Sequence, residues 1–347
     1  MCPVLLTRTV PLYKGKPTVY LDQNILDFFT KYGLGELGQI LIDDYQVVYS
    51  DENLKEIRRS KGFEENFLKL LKDLNAYHLK IIVEQPNFTI TDKAKVMERN
   101  PYDVYKEYCD NSDEGVDIEH AMHQSLFKFS GGRKGEGLND IHKEQISAFS
   151  ELMNSMLANS DELPEEIQRQ LQFYAKEMTI QFKETLDKTE RMMLSNIGDD
   201  KNWDGIKDFR SAVGIGPKQL NNIEAPNVLK KIWDELKTTP SFSKASIELE
   251  DFFQLKKNPV YPDQPYFKHQ KVTMIYNMLN TLGYYPDSKV HVERRFVAAL
   301  SDNSHASTAS FCHYLLSNDE SFIKKVRAVY EYLDISTIVK HVVFKDA

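Results

Sequence analysis

Asp22 closes the apolar run Thr18-Val19-Tyr20-Leu21, and Asp319 follows a second run, Tyr314-Leu315-Leu316-Ser317-Asn318. An acid at the C-terminal end of a parallel strand stands where open α/β sheets gather their ligands. Two more acids join them as candidates. Glu56 lies in Ser50-Asp51-Glu52-Asn53-Leu54-Lys55-Glu56-Ile57-Arg58-Arg59, and Asp302 in Ser301-Asp302-Asn303-Ser304-His305-Ala306. Clustered carboxylates repel and raise one another's pKa until a proton or a cation relieves them. Mg²⁺ and Mn²⁺ suit such all-oxygen surroundings. Ions held this way generate hydroxide from water and steady the leaving oxygen of a phosphodiester.

The elements that must position these acids alternate in type. Val19 to Leu21, Gln46 to Tyr49, Leu79 to Val83 and Tyr314 to Leu316 read as strands, with a final strand or two within Ile335 to Phe344. Ile25 to Tyr32, the stretch after Ser50, the Phe67 to Leu74 pattern and Glu320 to Tyr332 read as helices. Ser50 suits an N-cap, with Asp51 and Glu52 at the positive end of the helix dipole. Strands alternating with helices predict an α/β fold, a central parallel sheet with helices on both faces. Between about residues 95 and 285 the chain reads as mainly helical. Candidates there are Asp117 to Phe129, Ile141 to Leu157, Pro164 to Met193, Asn227 to Leu236 and Lys268 to Leu282. The expected organisation is one discontinuous α/β domain, 17–90 and 286–345, split by a helical insertion at 91–285. Neither α/β piece has enough strands to bury a sheet alone.

The acids and their settings resemble the PIN domain family. The resemblance rests on Leu21-Asp22-Gln23-Asn24, the helix from Ser50 to Glu56, Asp302-x-x-His305 and Ser317-Asn318-Asp319-Glu320-Ser321-Phe322. It covers about residues 17–85 and 286–345 and departs from that compact family in its long interruption. It implies a Mg²⁺- or Mn²⁺-dependent nuclease, RNA preferred over DNA. Asp22, Asp302 and Asp319 would hold the metal, and Glu56 would be a ligand or orient the attacking water. Asn24 would support Asp22, and Ser317 would take the hydroxyl position of the ending. His305, one helical turn after Asp302, suits a supporting hydrogen bond. Lys55, Arg58 and Arg59 beside Glu56, and Arg294 and Arg295 before Asp302, are the candidates to grip a nucleic-acid backbone. The insertion would select substrate, act as a lid, or contact a partner protein or a second copy. The alternative is an inactive PIN-like scaffold that binds nucleic acid or protein.

Each residue also has a plainer role available. A strand-end Asp often caps the next helix, and Asp302 could cap the His305 helix. Glu56 could be a solvated helix residue, and the basic clusters could serve solubility. Val213-Gly214-Ile215-Gly216-Pro217-Lys218-Gln219 resembles a helix-hairpin-helix turn, with an ordinary interhelical turn the better reading. Gly131 to Gly137 lacks the Walker pattern. Tyr102, Tyr105 and Tyr108 suit a core stripe better than a base-stacking platform. A haloacid-dehalogenase-type phosphatase would need Asp where Asn24 stands.

Bulk properties bound these readings. The chain has 347 residues and a net charge of −8, which gives no overall attraction for nucleic acid and leaves only local patches. Cys2, Cys109 and Cys312 have no metal-type spacing. Their low number, the absence of an apolar core in Met1 to Lys16 and of a run of ~20 apolar residues predict a cytoplasmic protein without a membrane span.

Overall fold

The structure, a computed structural model, describes residues 15–84, 89–112, 116–158, 163–256 and 265–344. Cys2, nearly all of Met1 to Lys16, and most of the Pro259 to Pro265 break lie outside these. Contacts divide the chain into two compact units. The first comprises 1–108, 209–287 and 298–347; the second comprises 109–208 and 288–297.

The first unit is an α/β fold. Its first part runs β1 (Thr18–Leu21), α1 (Gln23–Tyr32), α2 (Gly35–Asp44), β2 (Gln46–Tyr49), α3 (Asp51–Arg59), α4 (Glu64–Asp73), β3 (Tyr77–Glu84), β4 (Thr89–Met97) and the start of α5 (Pro101–Ser112). The second unit is helical: α6 (Val116–Phe129), α7 (Leu138–Ala158) and α8 (Glu165–Leu194), leading into α9 (Gly205–Val213). The first unit then resumes through α10 (Pro217–Leu220), α11 (Val228–Lys237), α12 (Leu249–Phe252) and α13 (Lys268–Leu282). α14 (Glu293–Ala309) starts in the helical unit and ends in the α/β unit, where β5 (Tyr314–Ser317), α15 (Glu320–Tyr332) and β6 (Ile338–His341) follow.

The six strands lie in the order β4-β3-β2-β1-β5-β6, and every pairing is parallel except the antiparallel β3–β4 edge. All four residues of β1 and of β2 are buried, as strands covered on both faces must be. Alternate side chains go to opposite faces. Val19, Leu21, Val47 and Tyr49 join one core with Leu54, Ile57, Phe67 and Leu71 from α3 and α4. Tyr20, Val48, Leu79 and Leu315 join another with Ile232, Ile275, Leu279 and Val326 from α11, α13 and α15.

That second core moves the expected boundaries. Residues 209–285 fall within the expected insertion, yet α11 and α13 form the cover of one sheet face, so the separate helical unit is confined to 109–208 with 288–297. The reason is hydrophobic: a sheet with one bare apolar face is unstable in water. Most of β4, from Thr91 onward, also falls inside the span expected to be insertion. Its lysines Lys93 and Lys95 charge a sheet edge, a usual protection against strand-to-strand association.

The Gly214 turn joins α9 to α10 with its glycine at φ +76°, and Val213, Ile215 and Leu220 around it are buried in the core. It serves as an interhelical turn. Cys109 and Cys312 are free thiols. Among the described residues no helix is long and apolar enough to cross a membrane.

Candidate active site at the sheet edge

From β1 the chain winds outward through β2 and β3, and it returns on the other side of β1 as β5 and β6. The boundary between β1 and β5 is thus the topological switch point, whose C-terminal edge opens a crevice for ligands. Asp22 sits there, 3% exposed. Its backbone N–H extends the ladder to the Leu316 carbonyl at 3.0 Å. Its Oδ1 accepts from the Gln23 N–H at 2.7 Å, so it does cap α1. Its Oδ2 accepts from Asn24 Nδ2 at 2.5 Å and from Ser317 Oγ at 2.6 Å. Asn24 therefore holds the acid from the start of α1, and Ser317 from the end of β5.

Ser317 Oγ also accepts the Asp319 N–H at 3.0 Å, and Asn24 Oδ1 accepts the Asn318 N–H at 3.2 Å. These bonds tie the two strand ends together across nearly the whole sequence. Asp319 itself is exposed, and its Oδ1 accepts from the Phe322 N–H at 2.8 Å as the cap of α15.

Asp302 lies within α14 rather than at the start of a helix, so it is no N-cap. A half-buried Asp inside a helix has neither good propensity nor a capping role to explain it. Burial, then the charges of Asp22 and Asp287, push its carboxyl well above the usual carboxylate range, against Lys325 and His305. Burial also raises Asp22, with Glu56 adding to the rise; His305 and the Ser317 and Gln23 hydrogen bonds oppose it.

Glu56 and Glu52 both face α14 from α3. Ser301 Oγ donates to Glu52 Oε1 at 2.6 Å and accepts from Arg59 Nη2 at 2.6 Å. Arg59 Nη2 also lies 3.5 Å from Glu56 and 3.6 Å from Glu52. Arg59 therefore joins α3 to α14 rather than projecting free for a phosphate. Glu56 Oε2 meets His305 Nε2 at 3.0 Å. Burial alone would raise the Glu56 carboxyl, but the His305 charge and hydrogen bond, with Arg59, hold it below its ordinary value.

His305 is fully buried, and its Nδ1 lies 2.7 Å from Tyr20 Oη. Tyr20 Oη in turn lies 2.8 Å from Ser50 Oγ, and Ser50 Oγ donates to Asn53 Oδ1 at 3.4 Å. Donation from both ring nitrogens makes His305 an imidazolium at neutral pH. Burial lowers its pKa, but Glu56, Asp22 and Glu52 outweigh burial and carry it up to about 9.

A second buried cation lies close by. Lys325 is fully buried on the apolar face of α15. It donates to Asp287 Oδ1 at 2.6 Å and Asn280 Oδ1 at 2.7 Å, and it sits 4.4 Å from the Tyr276 ring centroid. Sequence reading missed this cluster. Its signal is a lysine at helical spacing from Phe322 and Val329 on a stripe that faces inward.

Electrostatics thus link Asp22 with Glu56, Asp302 and His305, and hydrogen bonds link Asp22 with Asp319 through Ser317. Lys55 and Arg58 lie half-buried on α3. Arg294 and Arg295 are exposed but fall in the helical unit, apart from the unit that carries the acids. Among the described residues no group of three His, Cys, Asp or Glu side chains is arranged to hold a metal ion. Compared with known protein families, curated proteins and solved structures, the chain matches none of them.

Proposed function

We propose that the chain is a divalent-cation-dependent nuclease of the PIN-like type, hydrolysing phosphodiester bonds with RNA preferred over DNA. One observation carries the reading: Asp22, buried at the switch point of a mostly parallel sheet, and Asp302, half-buried on α14, each have their proton affinity raised, and the charge of Asp22 contributes to the rise at Asp302. Burial and the charges of Asp22 and Asp287 raise the proton affinity of Asp302. A cation relieves such a pair, and Mg²⁺ commonly takes only one or two protein carboxylates, keeping waters and substrate phosphate for the rest. The donor set fits that ion. Asp22 and Asp302 would hold Mg²⁺ or Mn²⁺, with Asp319 at the rim. A bound ion would supply hydroxide from water and steady the leaving oxygen.

The chain's own groups do the positioning. Asn24 and Ser317 fix one oxygen of Asp22, and the Gln23 N–H fixes the other. His305 keeps Glu56 ionised and aimed, so that Glu56 accepts a hydrogen bond from the attacking water. The preference for RNA rests on the PIN resemblance of the acid segments alone.

Among the described residues no group of three His, Cys, Asp or Glu side chains is arranged to hold a metal ion, and the second reading is a PIN-like scaffold that binds nucleic acid or protein without cutting. Asp22→Asn separates the two. On the nuclease reading it lowers Mn²⁺-dependent cleavage of single-stranded RNA at least ~100-fold, about 2.7 kcal/mol in barrier, while circular dichroism is unchanged. A wild-type chain with no cleavage and no Mn²⁺ binding in calorimetry selects the scaffold.

A further inference from the structure

All 30 residues of α8 are described, and none of them is buried. One side of the helix lies on α7. Phe182 stacks on Phe149 with ring centroids 4.5 Å apart, and Glu190 Oε2 meets His142 Nδ1 at 3.0 Å, so the two helices pair antiparallel. A second side carries Ile167, Tyr174, Met178 and Met192, whose spacings of 7, 4 and 14 residues keep one helical stripe. These four are between 43% and 62% exposed. Phe173 and Ile180 are exposed too and extend the apolar surface to the flank farther from α7. Single exposed apolar residues are ordinary, but a row along most of a long helix marks an interaction surface.

Charge and area fix the occupant. Glu165 and Glu166 open the helix, and Lys188 and Arg191 stand near its end, all exposed. A parallel copy of the helix would oppose like charges. An antiparallel copy, related by a two-fold axis between Thr179 and Ile180, sets Ile167 opposite Met192 of the second copy and Glu166 beside its Arg191. Symmetry repeats both pairs. The helix is ~45 Å long, and a strip ~10 Å wide gives about 900 Å² over two copies. Met156 of α7, seven residues beyond Phe149 on the stripe that faces α8, is itself exposed. It enlarges the strip towards the about 1,000 Å² that a specific interface needs.

We propose that the α7–α8 pair docks on a second copy of this chain, with the two α8 helices antiparallel and Tyr174 and Met178 near the centre of the interface. The dimer does not depend on the nuclease reading.

Sedimentation equilibrium of the full chain tests it. Wild type should dimerise across the micromolar range, the regime of an interface of this modest size. Tyr174→Glu should raise the dissociation constant at least ~30-fold, the effect of losing a central aromatic anchor. The side chain is exposed, so circular dichroism should be unchanged, and Met178→Glu gives the same reading in a second variant. The register has its own test at low salt. Glu166→Arg and Arg191→Glu should each weaken the dimer several-fold, and the two together in one chain should restore it.

A wild type that stays monomeric throughout that range overturns the proposal, whatever other protein it captures. So does a dimer that neither Tyr174→Glu nor Met178→Glu weakens, because it then forms through another surface. A double charge variant no tighter than either single one overturns the antiparallel arrangement.

Discussion

His305 is a charged group kept in a dry place by its partners. Its pKa of about 9 lies above the ordinary 6.5, so its contribution to stability is fully present below pH 6.5 and is lost as pH rises towards 9. A shift of that size is on the order of 3 kcal/mol. Glu56 acts in the opposite sense: its lowered pKa adds stability above the normal carboxylate range, which is lost on acidification. The metal-free wild type should lose melting temperature between pH 6.5 and 9, and His305→Gln should flatten that fall. Equal slopes in the two proteins would remove the ion pair from the account. The spacing of Asp302 and His305 made both residues legible, and so did the strand-end position of Asp22. Tyr20, Tyr276 and Lys325 were not legible in this way. Each reads locally as an ordinary strand or helix residue, and each takes its meaning from a partner far away in sequence. Tyr20 pairs with a histidine 285 positions on, and Lys325 with an acid 38 positions back.

At the level of elements, periodicity served well wherever the partner was near. β1, β2 and β5 lie within a residue of the expected runs, and α13 spans Lys268–Leu282 as the pattern predicts. What periodicity does not state is which surface an amphipathic helix covers. α11 and α13 carry the stripe of any bundle helix, and only assembly reveals that the stripe meets β1, β2 and β5. A cavity in that layer should therefore weaken the sheet unit. Leu279→Ala, at a fully buried position of α13, should cost about 2–5 kcal/mol in denaturant unfolding. It should speed hydrogen exchange in β1 and β5. Unchanged exchange in those strands would return α13 to the helical unit.

Over the whole molecule, the chain divides into two compact units. Ile141 on α7 is fully buried in the helical one. Ile141→Ala should lower that unit's stability by about 2–5 kcal/mol. Exchange protection in β1 and β5, which belong to the other unit, should stay at the wild-type level. Loss of protection in both units would mean that they unfold as one. The division was partly legible, as a change from alternating to helical patterning. Its limits were not, because α5, α9 and α14 each run across a boundary without a break in helical pattern.

β1 lies between β2 and β5, and the latter strand is specified almost three hundred residues later. During synthesis, Asp22 leaves the ribosome early and waits for Asp302 while about 280 residues are added, roughly 15–60 s at ordinary elongation rates. In that interval the switch-point crevice has only one wall, and β1 is itself an open edge. A nascent chain thus holds no complete acid pair, and on the nuclease reading it cannot cut the message that encodes it.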